Sequence, residues 1–199
     1  TVNGVTRRYI EFMEARFDLE ESSTKENAFF VDSGLSYNST ATATITGLNH
    51  LESETVSILG NGSVYANQAI SSGSISGLDP TVTEAQIGYP FESIVKTLRP
   101  EAGADDGTAQ GKTKRVFNVT VRFMQTLGAK ASSDGVNYDE IQFRRGASDM
   151  DSSPPLFSGD KEIKFRGGWE TSGQVFIKQE QPLPMHITAI ITRLVTNDG

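Results

Sequence analysis

Cysteine is absent from all 199 residues. Without thiols there is no disulfide staple, no Cys-ligated zinc, no iron–sulfur cluster and no thiol nucleophile, so the fold must be held by its own packing. Long apolar runs are also absent. None approaches the ~18 residues that mark a membrane-spanning helix. Positive charge is in deficit, with 18 Lys and Arg against 25 Asp and Glu, for a net charge of −7. That balance argues against a dedicated nucleic-acid binder or a polybasic membrane-surface protein, since both need a cationic footprint. The chain opens TVNGVTRR, with neither the charged n-region nor the apolar h-region of a signal peptide. It begins on Thr1 rather than Met, which reads as an excised or truncated piece.

The length fits one or two domains at roughly 150 residues each. Nineteen Gly, with many Ser, Thr and Asn, point to turn-rich β structure. Tyr9 to Glu14 alternates with period two and reads as a strand, followed by a polar linker from Asp18 to Asn27. Ala28 to Gly34 reads as an apolar strand closed by a turn. Between residues 42 and 90 several short strands are separated by Gly, Asp and Pro. Among them, Glu54–Leu59 and Ser63–Ala66 flank Asn61-Gly62. Asn-Gly between two β-type runs predicts a two-residue hairpin, because both central residues of a type I′ turn need positive φ. Further on, Arg115 to Phe123 (RVFNVTVRF) predicts a strand with Val119, Val121 and Phe123 on one face and Asn118, Thr120 and Arg122 on the other. Met185 to Leu194 has a nearly continuous apolar centre and is expected centrally in a sheet. The expected fold is all-β with short or no helices. N-terminal strands and a linker, the end of a preceding β domain, occupy 1–41. A small β-barrel-like module occupies 42–90 and a β-sandwich-like domain 91–199.

Chemistry is sparse. Gly107 to Thr113 (GTAQGKT) has three residues between its glycines where a phosphate-cradling loop needs four, and a strand follows in place of the helix. His50 and His186 are isolated and read as structural. The pairs Glu20/Glu21, Glu52/Glu54, Asp105/Asp106 and Asp149/Asp151 lie in polar loops and announce no two-carboxylate geometry. Asp149 to Ser152 lacks the Gly turn and closing Glu of an EF-hand calcium loop. The reading therefore assigns no catalytic, cofactor-binding or metal-binding residue and expects no enzyme. Exposed aromatics can serve as carbohydrate platforms. Trp169, Tyr65, Tyr89 and Tyr138 are the aromatic candidates, with Trp169 in its Gly-Gly-Trp turn the best of them. Arg144 and Arg145 complete the candidate interaction surface.

Several segments together resemble one family. They are Arg8–Glu14 (RYIEFME), Ala28–Tyr37 (AFFVDSGLSY), Gly47–Leu59 (GLNHLESETVSIL), Gly111–Arg115 (GKTKR), Pro155–Lys161 (PLFSGDK) and Gln179–Met185 (QEQPLPM). In this order they are similar to the C-terminal region of tailed-bacteriophage tail hub or nozzle (stabilisation-type) proteins. The stretch Gly47–Gly88 also resembles the small β-barrel compared with the FCCH domain of ubiquitin-activating enzyme, a likeness of fold that implies no ubiquitin chemistry. Members of the family are usually longer, with a large β-rich portion upstream. The resemblance implies a structural virion protein located in the tail. It would form a ring with copies of itself, sixfold by the family pattern, contact other tail proteins and let DNA pass through its channel without a membrane span. It brings no catalytic residues and no cofactor. The alternative is a β-sandwich module that recognises a glycan or receptor, with Trp169 at its surface.

Overall fold

The computed structural model describes residues 5–13, 15, 17, 23–101, 108–144, 146, 152–165 and 167–197. The chain divides into two compact units. The first takes in Thr1–Phe91, Arg144–Pro155 and Glu180–Pro184, and the second Glu92–Phe143, Leu156–Gln179 and Met185–Gly199. The fold is all-β, as expected, with a single 3₁₀ turn at Asn49–Leu51 among the described residues. No described helix is long and apolar enough to cross a membrane.

Unit 1 contains β1 (Asp32–Thr42), β2 (Ile45–Thr46), β3 (Thr55–Gly60), β4 (Ser63–Ala69), β5 (Ser74–Ile75) and β6 (Val82–Tyr89). They form an antiparallel sheet of order β1-β6-β3-β4 and a separate ribbon β2-β5. Neither closes, so the module expected to be barrel-like is an open sheet with a ribbon. In β3 every residue from Val56 to Gly60 is buried, as a strand flanked on both edges and covered on both faces must be. Leu48, Leu51, Ile75 and Leu78 come from the ribbon and its loops and join Val56, Ile58, Val82 and Ile87 in one apolar cluster.

The hairpin between β3 and β4 is the predicted one. Gly60 pairs with Ser63, and Asn61 and Gly62 turn with φ of 46° and 71°. Asn61 does more than turn. Its Oδ1 accepts the backbone N–H groups of Thr83 and Glu84, each at 3.1 Å, tying the hairpin tip to β6. Where β1 meets β6, three residue steps on β1 span two on β6, from Asp32↔Tyr89 to Leu35↔Ile87. The extra residue forms a bulge in which Ser33 has φ of 48°. Gly88 lies under it: a Cβ there would stand 2.6 Å from the Asp32 carbonyl oxygen and 2.8 Å from Gly34 Cα.

Two strand expectations are corrected. The described residues 6–13 lie in no strand, because no described strand pairs with them. The expected strand at Ala28–Gly34 begins only at Asp32 and runs on through the polar sequence to Thr42, because it is pairing with β6, more than apolar content, that holds it.

Unit 2 holds β7 (Ser93–Lys96), β8 (Thr113–Thr126), β9 (Lys130–Ser132), β10 (Asp139–Glu140), β11 (Phe157–Lys164), β12 (Phe176–Gln179) and β13 (Ile187–Asn197). They form two antiparallel sheets, β10-β9-β12-β7 and β11-β8-β13. In β8, Val119, Val121 and Phe123 are buried as predicted. Towards the strand start the buried set shifts to Lys114, Val116 and Asn118. The cause is a bulge: Arg193↔Asn118 is followed by Leu194↔Val116, so Phe117 is an extra residue and the period-two pattern changes phase. Asn118 is thereby buried instead of facing out, its Nδ2 donating to Glu162 Oε1 while its Oδ1 has no partner among the described residues.

The expectation for Met185–Leu194 is also corrected. β13 is an edge strand and β8 is the central one. Apolar content alone does not separate an edge strand from a central one, and here Ile191 and Val195 remain exposed.

Gly88→Ala tests the packing beneath the β1 bulge. Because the obstacle is backbone, the expected cost is about 1–3 kcal/mol. That lowers the melting temperature by several degrees at roughly 2–4 °C per kcal/mol. Gly168→Ala, where a Cβ meets nothing within 4 Å, is the control and should melt like the parent in a thermal scan by circular dichroism.

Candidate functional site

Of the four residues singled out as an interaction surface, three are among the described residues, and they fall in both units. Arg145 lies outside the described residues. Arg144 belongs to unit 1, where its guanidinium donates to the Ser152 carbonyl at 2.8 Å beside a cleft of about 440 Å³ that also takes in Tyr65 and Asp79. Tyr138 and Trp169 belong to unit 2. The Tyr138 ring carries the Lys178 ammonium 4.7 Å from its centroid, and Tyr138 does not line the cleft beside Trp169.

That cleft lies wholly within unit 2. It encloses about 400 Å³ between the turn after β9 and the Gly-Gly-Trp turn. Ser132, at the end of β9, starts the first wall. Its Oγ donates to Asp134 Oδ1 at 2.7 Å and accepts the Gly135 N–H at 2.9 Å. Asp134 then closes the turn on itself. Its Oδ1 accepts the N–H groups of Val136 and Asn137, both at 2.8 Å, and its Oδ2 accepts Asn137 Nδ2 at 2.7 Å. An Asp followed by Gly135 at φ 74° is a residue choice made for such a turn. These donors, first the Asn137 side chain, then the Val136 and Asn137 amides and the Ser132 hydroxyl, hold the Asp134 carboxyl far below its ordinary 3.8.

The second wall is pinned to β8. Glu170 and Lys114 exchange both backbone hydrogen bonds, at 2.6 and 2.8 Å. The Lys114 side chain is buried, and its Nζ donates to the Thr171 carbonyl at 3.3 Å. Lys114 is therefore an internal brace. Gly167 brings the walls together, since a Cβ there would stand 3.3 Å from Ser133 Oγ. Trp169 ends up 51% exposed, next to Asp139, Asn137 and Glu170.

The sequence reading missed this juxtaposition. Asp134, Asn137 and Asp139 precede Trp169 by thirty or more positions, and the nearest sequence signal, Ser-Asp-Gly at 133–135, marks a turn and nothing else.

Both histidines have backbone partners, as a structural role implies. His50 Nε2–H donates to the Ser33 carbonyl at 2.7 Å and its ring meets Tyr9 edge-on, while His186 Nδ1 lies 3.2 Å from the Met124 carbonyl. His50 lines a polar cleft of about 670 Å³ in unit 1, where Glu52 accepts the N–H groups of Ser72 and Gly73. Among the described residues no three His, Asp or Glu side chains group as metal ligands. The pairs Glu20/Glu21, Asp105/Asp106 and Asp149/Asp151 lie outside the described residues. No protein-family model matches the chain, and no curated protein is significantly similar to it.

The Asp134 turn has a definite pH signature. A carboxyl whose folded pKa is depressed contributes order that is present above its ordinary value and is lost as pH falls through the lower folded value. The amides of Val136 and Asn137 should therefore stay protected from hydrogen exchange at pH 4, where an unperturbed Asp is half protonated, and lose protection only in stronger acid. Asp134→Ala should remove their protection at neutral pH. Parent-like exchange in that variant would contradict the assignment.

Proposed function

We propose that the chain is a structural component of a bacteriophage tail, a hub or nozzle subunit that assembles with its own copies into a ring and lines part of the genome-ejection conduit. The observation that carries this reading is the free edge of β13. Eleven residues long, it contains no Pro or Lys, pairs with β8 alone among the described strands, carries its one bulge at Thr188 near the strand start, and leaves Ile191 and Val195 exposed. Monomeric proteins blunt such edges with short strands, Lys, Pro or bulges, because an open apolar edge recruits other chains. A subunit whose neighbour covers that edge needs no blunting. Head-to-tail contacts that close by rotation give a ring.

Two further features support the reading. Ile10, Phe12 and Met13 are 94%, 96% and 98% exposed, a segment that a neighbour or an upstream portion of the same polypeptide would cover. The net charge of −7 suits a wall past which DNA slides, since phosphates find little to hold them. The ordered segments from Arg8–Glu14 to Gln179–Met185 add their resemblance to tail hub and nozzle proteins.

Sedimentation velocity of the full chain tests the reading. A closed oligomer of several copies is expected, sixfold by the family pattern. The double substitution Ile191→Glu, Val195→Glu should weaken its assembly at least tenfold while leaving the circular dichroism spectrum unchanged, because both side chains are already exposed. A chain that stays monomeric at every concentration, or an oligomer indifferent to both charges, would overturn it.

A further inference from the structure

We propose that the Trp169 cleft of unit 2 is a binding site for a neutral pyranose, a function separate from assembly and independent of the tail reading. Trp169 is the chain's one tryptophan, and half of it faces solvent. Its cleft of about 400 Å³ lies within the range of small-ligand sites, roughly 300–1,000 Å³.

The polar groups around the indole sort by what they have left to offer. Asp134 is spent, both oxygens being used to hold its own turn. Asn137 has committed its Nδ2 to Asp134, so its Oδ1 remains without a hydrogen bond among the described residues. Glu170 accepts Ser172 Oγ on Oε2, which leaves Oε1, and the Asp139 carboxylate has no hydrogen bond among the described residues. The cleft thus presents one flat aromatic face and three acceptor-bearing side chains, Asn137 and Glu170 on segments fixed by the Asp134 turn and the Lys114–Glu170 bridge and Asp139 on β10.

A pyranose has the matching parts: an axial C–H face that stacks on an indole, and equatorial hydroxyls that donate to carboxylates and amide oxygens. Among the described lining residues there are three carboxylates and no cation, a set that disfavours sialic acid, phosphate and other anions. A quaternary ammonium is enclosed by several aromatic faces. Here a single exposed ring is available, because Phe165 is buried and Tyr138 is engaged with Lys178.

The lone tryptophan makes the test direct, since fluorescence of the full chain reports on this cleft alone. Titration with methyl α-D-glucopyranoside, methyl α-D-mannopyranoside, methyl β-D-galactopyranoside and N-acetylglucosamine should give a saturable change with at least one sugar, with a dissociation constant on the order of millimolar for so small a ligand. Saturation-transfer NMR on the same sugar should persist in Trp169→Phe and weaken about tenfold or more in Trp169→Ala. Asp139→Asn should weaken it several-fold, all three variants keeping the parent circular dichroism spectrum. No saturable response to any of the four sugars would overturn the proposal. So would undiminished binding by Trp169→Ala, or an equal or stronger response to N-acetylneuraminic acid or choline.

Discussion

Everything in this chain depends on apolar burial around a central strand in each unit, because no covalent or thiolate link exists to take its place. In unit 1 that strand is β3, buried from Val56 to Gly60, with β6 beside it contributing Val82, Ala85 and Ile87. In unit 2 it is β8, paired along both edges, with Val119, Val121 and Phe123 inward and the Phe123 ring meeting Phe143 edge-to-face at 5.4 Å. Close packing makes these cores intolerant of added volume. At the Gly34–Gly88 contact even a methyl group has no room, which lets the β1 bulge lie flat on its partner strand.

The rest of the molecule is ordered by polar side chains that bond to backbone. Asn61 ties a hairpin tip to β6, Glu52 holds the turn at Ser72 and Gly73, Asp134 closes the turn after β9, and Lys114 braces the Trp169 turn. Such bonds cost little core volume and fix loops locally, the economy expected of a chain rich in Ser, Thr, Asn and Gly. They also keep the Trp169 cleft open, since its walls are held by their own internal bonds.

How much of this is legible in sequence follows from the range of each cause. The Asn61-Gly62 hairpin and the inward face of β8 come from residues a few positions apart, and both can be read directly. The bulge at Phe117 is invisible to a period-two pattern, because it arises from register against β13, so Asn118 lands inside. β13 looks central for the same reason: an isoleucine-rich run states a preference for sheet and says nothing of how many neighbours the strand has. β1 is the opposite case, polar in sequence yet a full strand because β6 fixes it. Trp169 stands out as a large aromatic in a glycine turn, but its surroundings arrive from Ser132 to Asp139, and its brace, Lys114, comes from more than fifty positions upstream.

The assembly reading joins these features into one physical picture: two small β units, each packed around a central strand, with the β13 edge left for an adjoining copy to cover. A cryo-electron microscopy reconstruction of the particle carrying this polypeptide is the most direct measurement of that picture. The account predicts several copies repeated about the axis of the tail's distal part, with each Ile187–Asn197 edge lying against the adjacent copy. Particles without the chain, or copies whose Ile187–Asn197 edge faces solvent all along its length, would contradict it.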